Sequence, residues 1–421
     1  MSGAMLPDPP PWARELLTVG VTGTNGKTST TRWVAAILAR VASPVAQATT
    51  LGSFLDDVPL DVPKTWDGFL ETMRVCHERR GRFAAIELTS ESLARGFAKA
   101  WPCTVGVFTN LTHDHLDAHG TPEHYLASKA QLFVHLLPGG TAVLNGCDPA
   151  SDLLAEVIAP SVRVWRYGVP SRGEATTPLD LRATRVDLAW SGTTIALERS
   201  ATQGALADVP ESLTIRAIGD VYAENAMAAL LGGIAAGASA RDAADALAKA
   251  APPPGRFQVV HERPYVVVDY AHTPDALART LAIARKLCEG SLTVVFGAGG
   301  NRDRDKRKPM GAAASAADAI VLTSDNPRSE DAGAIAGAIR AGITRTRARA
   351  GTHMRERDVV FEIDRKRAIE LAIARAAASD VVVIAGKGHE TEQIVGSEVR
   401  HFDDVEVAKA ALAASSPPER A

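Results

Sequence analysis

The sequence predicts an α/β protein of two domains, each built on a parallel sheet with helices on its faces. Three observations predict it. Short β-branched apolar runs alternate with Ala-rich stretches of helical length along the chain. A glycine-rich loop carrying Lys27 and Thr28 stands between the first such run and the first helical stretch. A stiff break, Ala251-Pro252-Pro253-Pro254-Gly255, interrupts the alternation, which then restarts.

In chain order, residues 1–15 read as a disordered tail and residues 16–251 as the first domain. Its strands are expected at Leu17–Thr22, Ala84–Leu88, Thr104–Thr109, Thr141–Asn145 and Val162–Tyr167, each an apolar run of strand length. Leu181–Glu198 alternates polar and apolar residues around Ser191-Gly192, the pattern of an antiparallel hairpin added to the sheet. A helix is expected from about Ala223 to Ala236. Residues 252–421 form the second domain, with strands at Tyr265–Asp269, Leu292–Phe296, Ala319–Thr323, Val359–Ile363 and Val381–Ala385. Asp364 is placed to cap the helix that begins at Arg365. The closing Ser-Ser-Pro-Pro-Glu-Arg-Ala is expected to fray.

Composition narrows the class. With 46 Lys+Arg against 49 Asp+Glu, the chain gives no electrostatic case for nucleic acid or an anionic membrane surface. The apolar runs are too short to span a bilayer, and the start lacks the pattern of a signal peptide. Cys76, Cys103, Cys147 and Cys288 form no close pair, so no zinc ribbon or disulfide framework is expected. A cytoplasmic enzyme is the expectation.

The most specific signal is Gly23-Thr24-Asn25-Gly26-Lys27-Thr28-Ser29. In such a loop, backbone N–H groups and a helix N-terminus close around phosphates. Lys27 would neutralise the β/γ-phosphates and the Thr28 hydroxyl would bind Mg²⁺. Val21 stands where the strict P-loop pattern wants glycine. The expected ligand is a nucleoside triphosphate. Glu87 ends the next strand and can reach a phosphate-bound Mg²⁺. Thr109-Asn110-Leu-Thr-His113-Asp114-His115-Leu-Asp117 ends the one after, a dense polar cluster at the same edge.

The run Thr22–Thr28 resembles the Mur ligase superfamily, enzymes that join an amino acid to a carboxylate with ATP, and the resemblance covers almost the whole chain. It implies a P-loop central domain with a parallel sheet and a Rossmann-like C-terminal α/β domain. It also implies that His115 is a ligand of a second Mg²⁺, with Glu87 its carboxylate partner. Lys129, on an amphipathic helix, takes the position of a lysine that these ligases carbamylate, turning a cation into an anion that helps hold Mg²⁺. Asn225 falls where they place an Asn against adenine. Gly255-Arg256 resembles the start of their C-terminal domain, and Arg256, Asp269 and His272 are implied contacts of ribose and phosphates.

Three segments resemble the MurE branch: Gly299-Gly-Asn-Arg302, Asp325-Asn326-Pro327-Arg328 and Gly386-Lys-Gly-His389-Glu390. Each follows an expected strand. An acceptor with zwitterionic ends needs guanidinium forks for carboxylate and acids for ammonium. Arg302, Asp325, Asn326, Arg328 and Glu390 supply that mixture, and Gly386 allows close backbone approach. Asp-Asn-Pro-Arg is the form associated with meso-diaminopimelate.

Two features depart from that branch. Too few residues precede Leu17 to make the UDP-binding domain of roughly a hundred residues that a full MurE carries. Beside Glu87, Ser90 is followed by Glu91 where MurE has His, and Phe97 lies near an expected Arg, with Arg95 close by. Thr49-Thr50 resembles the Thr pair that touches the peptide end of the donor. These features predict an acyl-phosphate-forming ligase with an unusual donor, its domains closing about Pro252–Gly255. The alternatives are MurE chemistry on UDP-MurNAc-L-Ala-D-Glu, with a partner chain supplying donor recognition, and a non-catalytic ATP-binding partner subunit.

Overall fold

The computed structural model describes residues 6–112, 121–200, 203–349 and 358–415. By its contacts the chain divides between Ala251 and Pro252 into two compact units. The strands of the first unit are β1 (Leu17–Thr22), β2 (Val45–Thr49), β3 (Gly52–Leu55), β4 (Val58–Leu60), β5 (Phe83–Glu87), β6 (Val105–Phe108), β7 (Thr141–Asn145), β8 (Arg163–Gly168), β9 (Leu181–Ala189), β10 (Gly192–Arg199) and β11 (Ser212–Ile215). They form one sheet in the order β11-β10-β9-β8-β7-β6-β1-β5-β2-β3-β4. Pairing is parallel from β9 to β2 and antiparallel at both ends.

The expected strands of this unit stand at their expected bounds to within one residue, β9–β10 is the expected hairpin, and in the second unit the strand expected at Val359–Ile363 ends two residues early, at Phe361. Strands β2–β4, at the end of the sheet where β4 is the edge, escape the sequence pattern: Val45-Ala-Gln-Ala-Thr49 is poor in β-branched residues, and Pro59 interrupts β4. An edge strand tolerates proline because one of its sides needs no ladder bond.

Alternation sorts β1. Val19 and Val21 join the core that includes helices Lys27–Val41, Asp220–Ala235 and Ala240–Lys249. The other face is packed by helices Trp66–Glu78, Pro122–Val134 and Ala150–Glu156. Gly106 lies close under Phe133 and Leu136 of that second layer. One expectation is corrected. Pro11–Glu15, expected within the disordered tail, form a 3₁₀ helix. Trp12 anchors it, stacked on His77 with ring centroids 5.2 Å apart and edge-on to Trp101. The fraying expected of the C-terminal tail falls, from residue 416 on, outside the described residues.

The second unit has β12 (Gln258–Glu262), β13 (Tyr265–Asp269), β14 (Leu292–Phe296), β15 (Ala319–Leu322), β16 (Val359–Phe361) and β17 (Val381–Ala385), in the order β12-β13-β17-β14-β15-β16. Only β12 runs antiparallel. The segments beginning at Gly299, Asp325 and Gly386 therefore leave the sheet at one edge, as the sequence predicts. A separate hairpin, β18 (Glu392–Val395) with β19 (Glu398–His401), follows β17. Asp364 caps its helix, accepting from the Arg367 N–H at 3.1 Å.

Beside that cap lies a fully buried ion pair. Arg365 Nε and Nη2 donate to the two carboxylate oxygens of Asp404 at 2.8 and 2.7 Å, and neither side chain has any exposure. Arg365 Nη2 also donates to Ala385 O, at the end of β17. Removing one partner strands the other charge in the interior. Asp404→Ala is therefore expected to destabilise the second unit by about 3–5 kcal/mol, read as an earlier urea midpoint of that unit's transition.

Candidate functional site

In the first unit the site grows from the end of β1. Residues 23–26 leave the strand and the helix Lys27–Val41 begins at once. Gly26, its N-cap, has φ +84° and no side chain to cap the helix. Most helices of the protein are capped by a hydroxyl or carboxylate, among them those at Thr65, Thr121 and Ser239. Here the first N–H groups are left without such a cap. A Cβ on Gly26 would stand 2.2 Å from Asn225 Oδ1, so glycine is required by both φ and space. That proximity sets Asn225, 98% buried, against the phosphate loop.

The loop is held from β6. Thr109 Oγ1 and Asn110 Nδ2 donate to Asn25 O at 2.7 and 3.1 Å. The Asn25 N–H donates to Asn110 Oδ1, and the Thr24 N–H to Asn110 O. Lys27 Nζ arches back to Thr24 O at 2.8 Å. Lys129 is 99% buried; its Nζ donates to Gly23 O at 2.8 Å and lies over the Tyr125 ring. Ser29 is half-buried on the first turn of the helix.

Glu87 gathers the neighbours. Its Oε2 accepts from Thr28 Oγ1 at 2.8 Å, from the Thr50 N–H at 3.1 Å and from Thr50 Oγ1 at 3.2 Å. The structure thus joins the expected metal residues Thr28 and Glu87 to the expected donor residue Thr50. Thr49 instead closes its own turn, donating to Gly52 O. Glu87 and Thr28 offer hard oxygen ligands beside an uncapped helix terminus, a set that fits Mg²⁺ next to phosphate. His113, Asp114, His115 and Asp117 lie outside the described residues. Among those described, no group of three His, Cys, Asp or Glu is gathered.

At the donor end, Ser90 is buried at the head of the short helix Ser90–Ala94, while Glu91 and Arg95 are exposed. Phe97 packs edge-on to Trp66 and Phe69, with ring centroids 5.3 and 4.9 Å away. An aromatic cluster thus occupies the place near which an Arg was expected.

In the second unit three loops interlock. Asn326 O accepts from the Gly300 N–H at 2.9 Å, and Arg328 Nη1 donates to Gly300 O at 2.9 Å. Arg302, exposed, and Arg328, half-buried, both flank Gly299. Asn326 Oδ1 accepts from the Ile394 N–H, and Asn326 Nδ2 donates to Glu390 Oε2 at 3.3 Å. Asp325 Oδ1 is buried without a hydrogen-bond partner. Gly386, at φ +119°, passes Asp325 closely. The structure therefore brings Arg302, Asp325, Asn326, Arg328, Gly386 and Glu390 together.

Asp269 is differently placed. Its carboxylate accepts from the N–H groups of Phe257 and Ala271 and from Thr280 Oγ1, all within its own unit. Burial pushes its pKa up, and those bonds together with the Arg256 charge oppose the rise. His272, its pKa lowered by burial, sits against Tyr270, over which the Arg256 guanidinium lies 4.4 Å from the ring centroid. Gly255, at φ +64°, would drive a Cβ to 2.1 Å from His389 N, so the Gly-Arg segment abuts the Gly386–Glu390 loop. Sequence reasoning missed Tyr270 and Gln393. Gln393 Nε2 donates to Ser324 Oγ and Asp325 O. Tyr270 stands between the expected residues Asp269 and His272; Gln393 carries no local signal.

Comparison with known proteins agrees with this geometry. The family described as "Mur ligase middle domain" matches residues 21–232, and "Mur ligase, glutamate ligase domain" matches 255–388. A protein of Thermosynechococcus vestitus named UDP-N-acetylmuramoyl-L-alanyl-D-glutamate–2,6-diaminopimelate ligase is 40% identical, over 95% of this chain and 77% of the relative. Its namesake from Geobacillus thermodenitrificans is 36% identical over 94% and 78%. A solved structure of a ligase of the same name superposes with a TM-score of 0.69 at 31% identity, covering 95% of this chain and 78% of that one. Mycobacterium tuberculosis folylpolyglutamate synthase shares the fold, with a TM-score of 0.65 at 19% identity over 97% and 93%. No helix among the described residues is long and apolar enough to cross a membrane. With both units matched and such relatives aligned along nearly all its length, the chain belongs to the Mur ligase family of ATP-dependent, ADP-forming ligases.

Proposed function

We propose that the chain joins the amine of a 2,6-diaminopimelate-like amino acid to a donor carboxylate. One observation carries the acceptor assignment. Asp325 and Glu390 gather acid for an ammonium, while the Arg302 and Arg328 side chains stand beside Gly299, available to a carboxylate.

A donor carboxylate oxygen attacks the γ-phosphorus of ATP, the bond to the β–γ bridging oxygen breaks, and ADP leaves an acyl phosphate. The acceptor amine then attacks the acyl carbon, loses a proton, and inorganic phosphate departs. Lys27 and the uncapped N–H groups of its helix bind the phosphates and stabilise the charge that develops there. Mg²⁺, which Mur ligases use, neutralises phosphate charge when bound. Thr28, Glu87 and His115 are its proposed ligands, joined by Lys129 once its amine has taken up CO₂ as a carbamate. Asn110 and Asn225 shape the nucleotide site, with Arg256, Asp269 and His272 assigned to the nucleotide from the second unit. Thr49, Thr50 and Ser90 are assigned to the donor.

The expectation of an unusual donor draws no support from relatives named for UDP-N-acetylmuramoyl-L-alanyl-D-glutamate. A smaller donor, or recognition by a partner chain, remains a second reading, favoured by Phe97 packing into an aromatic cluster near the expected Arg position.

Lys27→Ala is expected to lower ADP release roughly a thousandfold, the scale of losing a preorganised charge at a transferring phosphoryl group; near-normal turnover removes the phosphate-loop assignment. Arg328→Ala should raise the acceptor KM roughly a hundredfold for the loss of a charge-assisted clamp. An unchanged KM removes the acceptor site. Mass-spectrometric ligation with ATP, Mg²⁺ and meso-diaminopimelate decides the donor. Product from UDP-N-acetylmuramoyl-L-alanyl-D-glutamate supports the relatives' chemistry, and product only from free L-Ala-γ-D-Glu supports the second reading.

A further inference from the structure

Lys387 lies inside the Gly386–Glu390 loop, and its side chain has no exposure at all. A lysine sealed from water is costly unless its charge and its donors are matched. Here each is. Nζ donates to the Glu392 carbonyl and, at 3.3 Å, to Asn326 Oδ1. It stands 3.7 Å from Asp325 Oδ1 and 3.7 Å from Glu390 Oε2. Asn326 closes the ring, since its Nδ2 donates to the same Glu390 oxygen. The Asp325 oxygen facing the ammonium is the one with no hydrogen bond.

We propose that Lys387 is a positioning residue for acceptor recognition, resting on the reading of this loop cluster as the acceptor site. Its ammonium lies behind Asp325, Asn326 and Glu390 and never meets the substrate. It balances two carboxylates that would otherwise repel each other. It also fixes the Asn326 carboxamide so that its oxygen faces inward and its nitrogen faces Glu390. The result is a rigid acidic surface on which Asp325, its Oδ1 turned to Lys387, keeps its other oxygen for the incoming ammonium. A lysine buried only for packing would be replaceable by methionine, which matches its length and lacks its charge.

The test is steady-state kinetics of Lys387→Met in the full chain with meso-diaminopimelate, alongside the wild type. The acceptor KM is expected to rise at least about tenfold, the loss of a charge-assisted contact. The KM for ATP and the kcat at saturating acceptor are expected to change less than about threefold, because the phosphate loop belongs to the other unit. A structural role alone would lower the active fraction and kcat while leaving the acceptor KM where it was, and that result overturns the proposal. Lys387→Gln, which keeps a donor for the Glu392 carbonyl, is judged by the same split if the methionine variant does not fold. A wild type that fails to use diaminopimelate overturns the acceptor reading and the positioning role together. A wild type that uses it beside a variant of unchanged acceptor KM overturns the positioning role alone.

Discussion

Where the chain leaves a parallel strand, the ladder stops and its backbone groups must be paired by something other than a neighbouring strand. Both units of this protein meet that constraint with side chains, and most of the site follows from it. In the first unit Thr109 and Asn110 take the carbonyl and N–H groups of residues 24 and 25. In the second, Asn326 and Gln393 stitch the loops after β15 and β17, while Arg365 takes Ala385 O. Polar residues that look like ligands in a sequence are thus also the pins of the loops they stand on.

The two units solve different problems of charge. The phosphate loop is built to be left electropositive: no side chain caps its helix, and Lys27 and Lys129 both turn their ammonium groups onto backbone carbonyls of the loop. The loops after β14, β15 and β17 carry both signs. The Arg328 guanidinium and the stem of Arg302 flank Gly299, carboxylates gather at Asp325 and Glu390, and an interior cation stands 3.7 Å from both carboxylates. The ion pair of Arg365 with Asp404 lies deeper still and is spent on holding strand ends.

Much of this was legible in the sequence because it is local. The central parallel strands, the hairpin around Ser191 and the Asp364 cap are written in runs of a few residues. So are the glycine-rich loop and the three segments after β14, β15 and β17, whose convergence follows once each is known to follow a parallel strand. What was not legible depends on long-range packing. Trp12 orders the start of the chain because His77 and Trp101 meet it from distant elements. Nothing in the sequence names Phe257, Ala271 and Thr280 as the donors that the Asp269 carboxylate accepts from. Gln393 reaches Asp325 only because β18 folds back across the sheet edge.

The place of β1 in its sheet has a consequence for how the protein is made. Leu17–Thr22 emerges from synthesis before either strand it pairs with, since it lies between β5 and β6, with Leu17 opposite Phe83 and Val19 opposite Val105. Neither neighbour exists until Phe83 has been produced. An apolar strand with both edges open is an aggregation hazard for that interval, and its pairing demands closure of a long loop, which slows folding. The phosphate loop, anchored by Thr109 and Asn110, acquires its shape only after that closure. A nascent chain that ends before β6 is thus a candidate client for a chaperone, and binding of nucleotide would report late assembly.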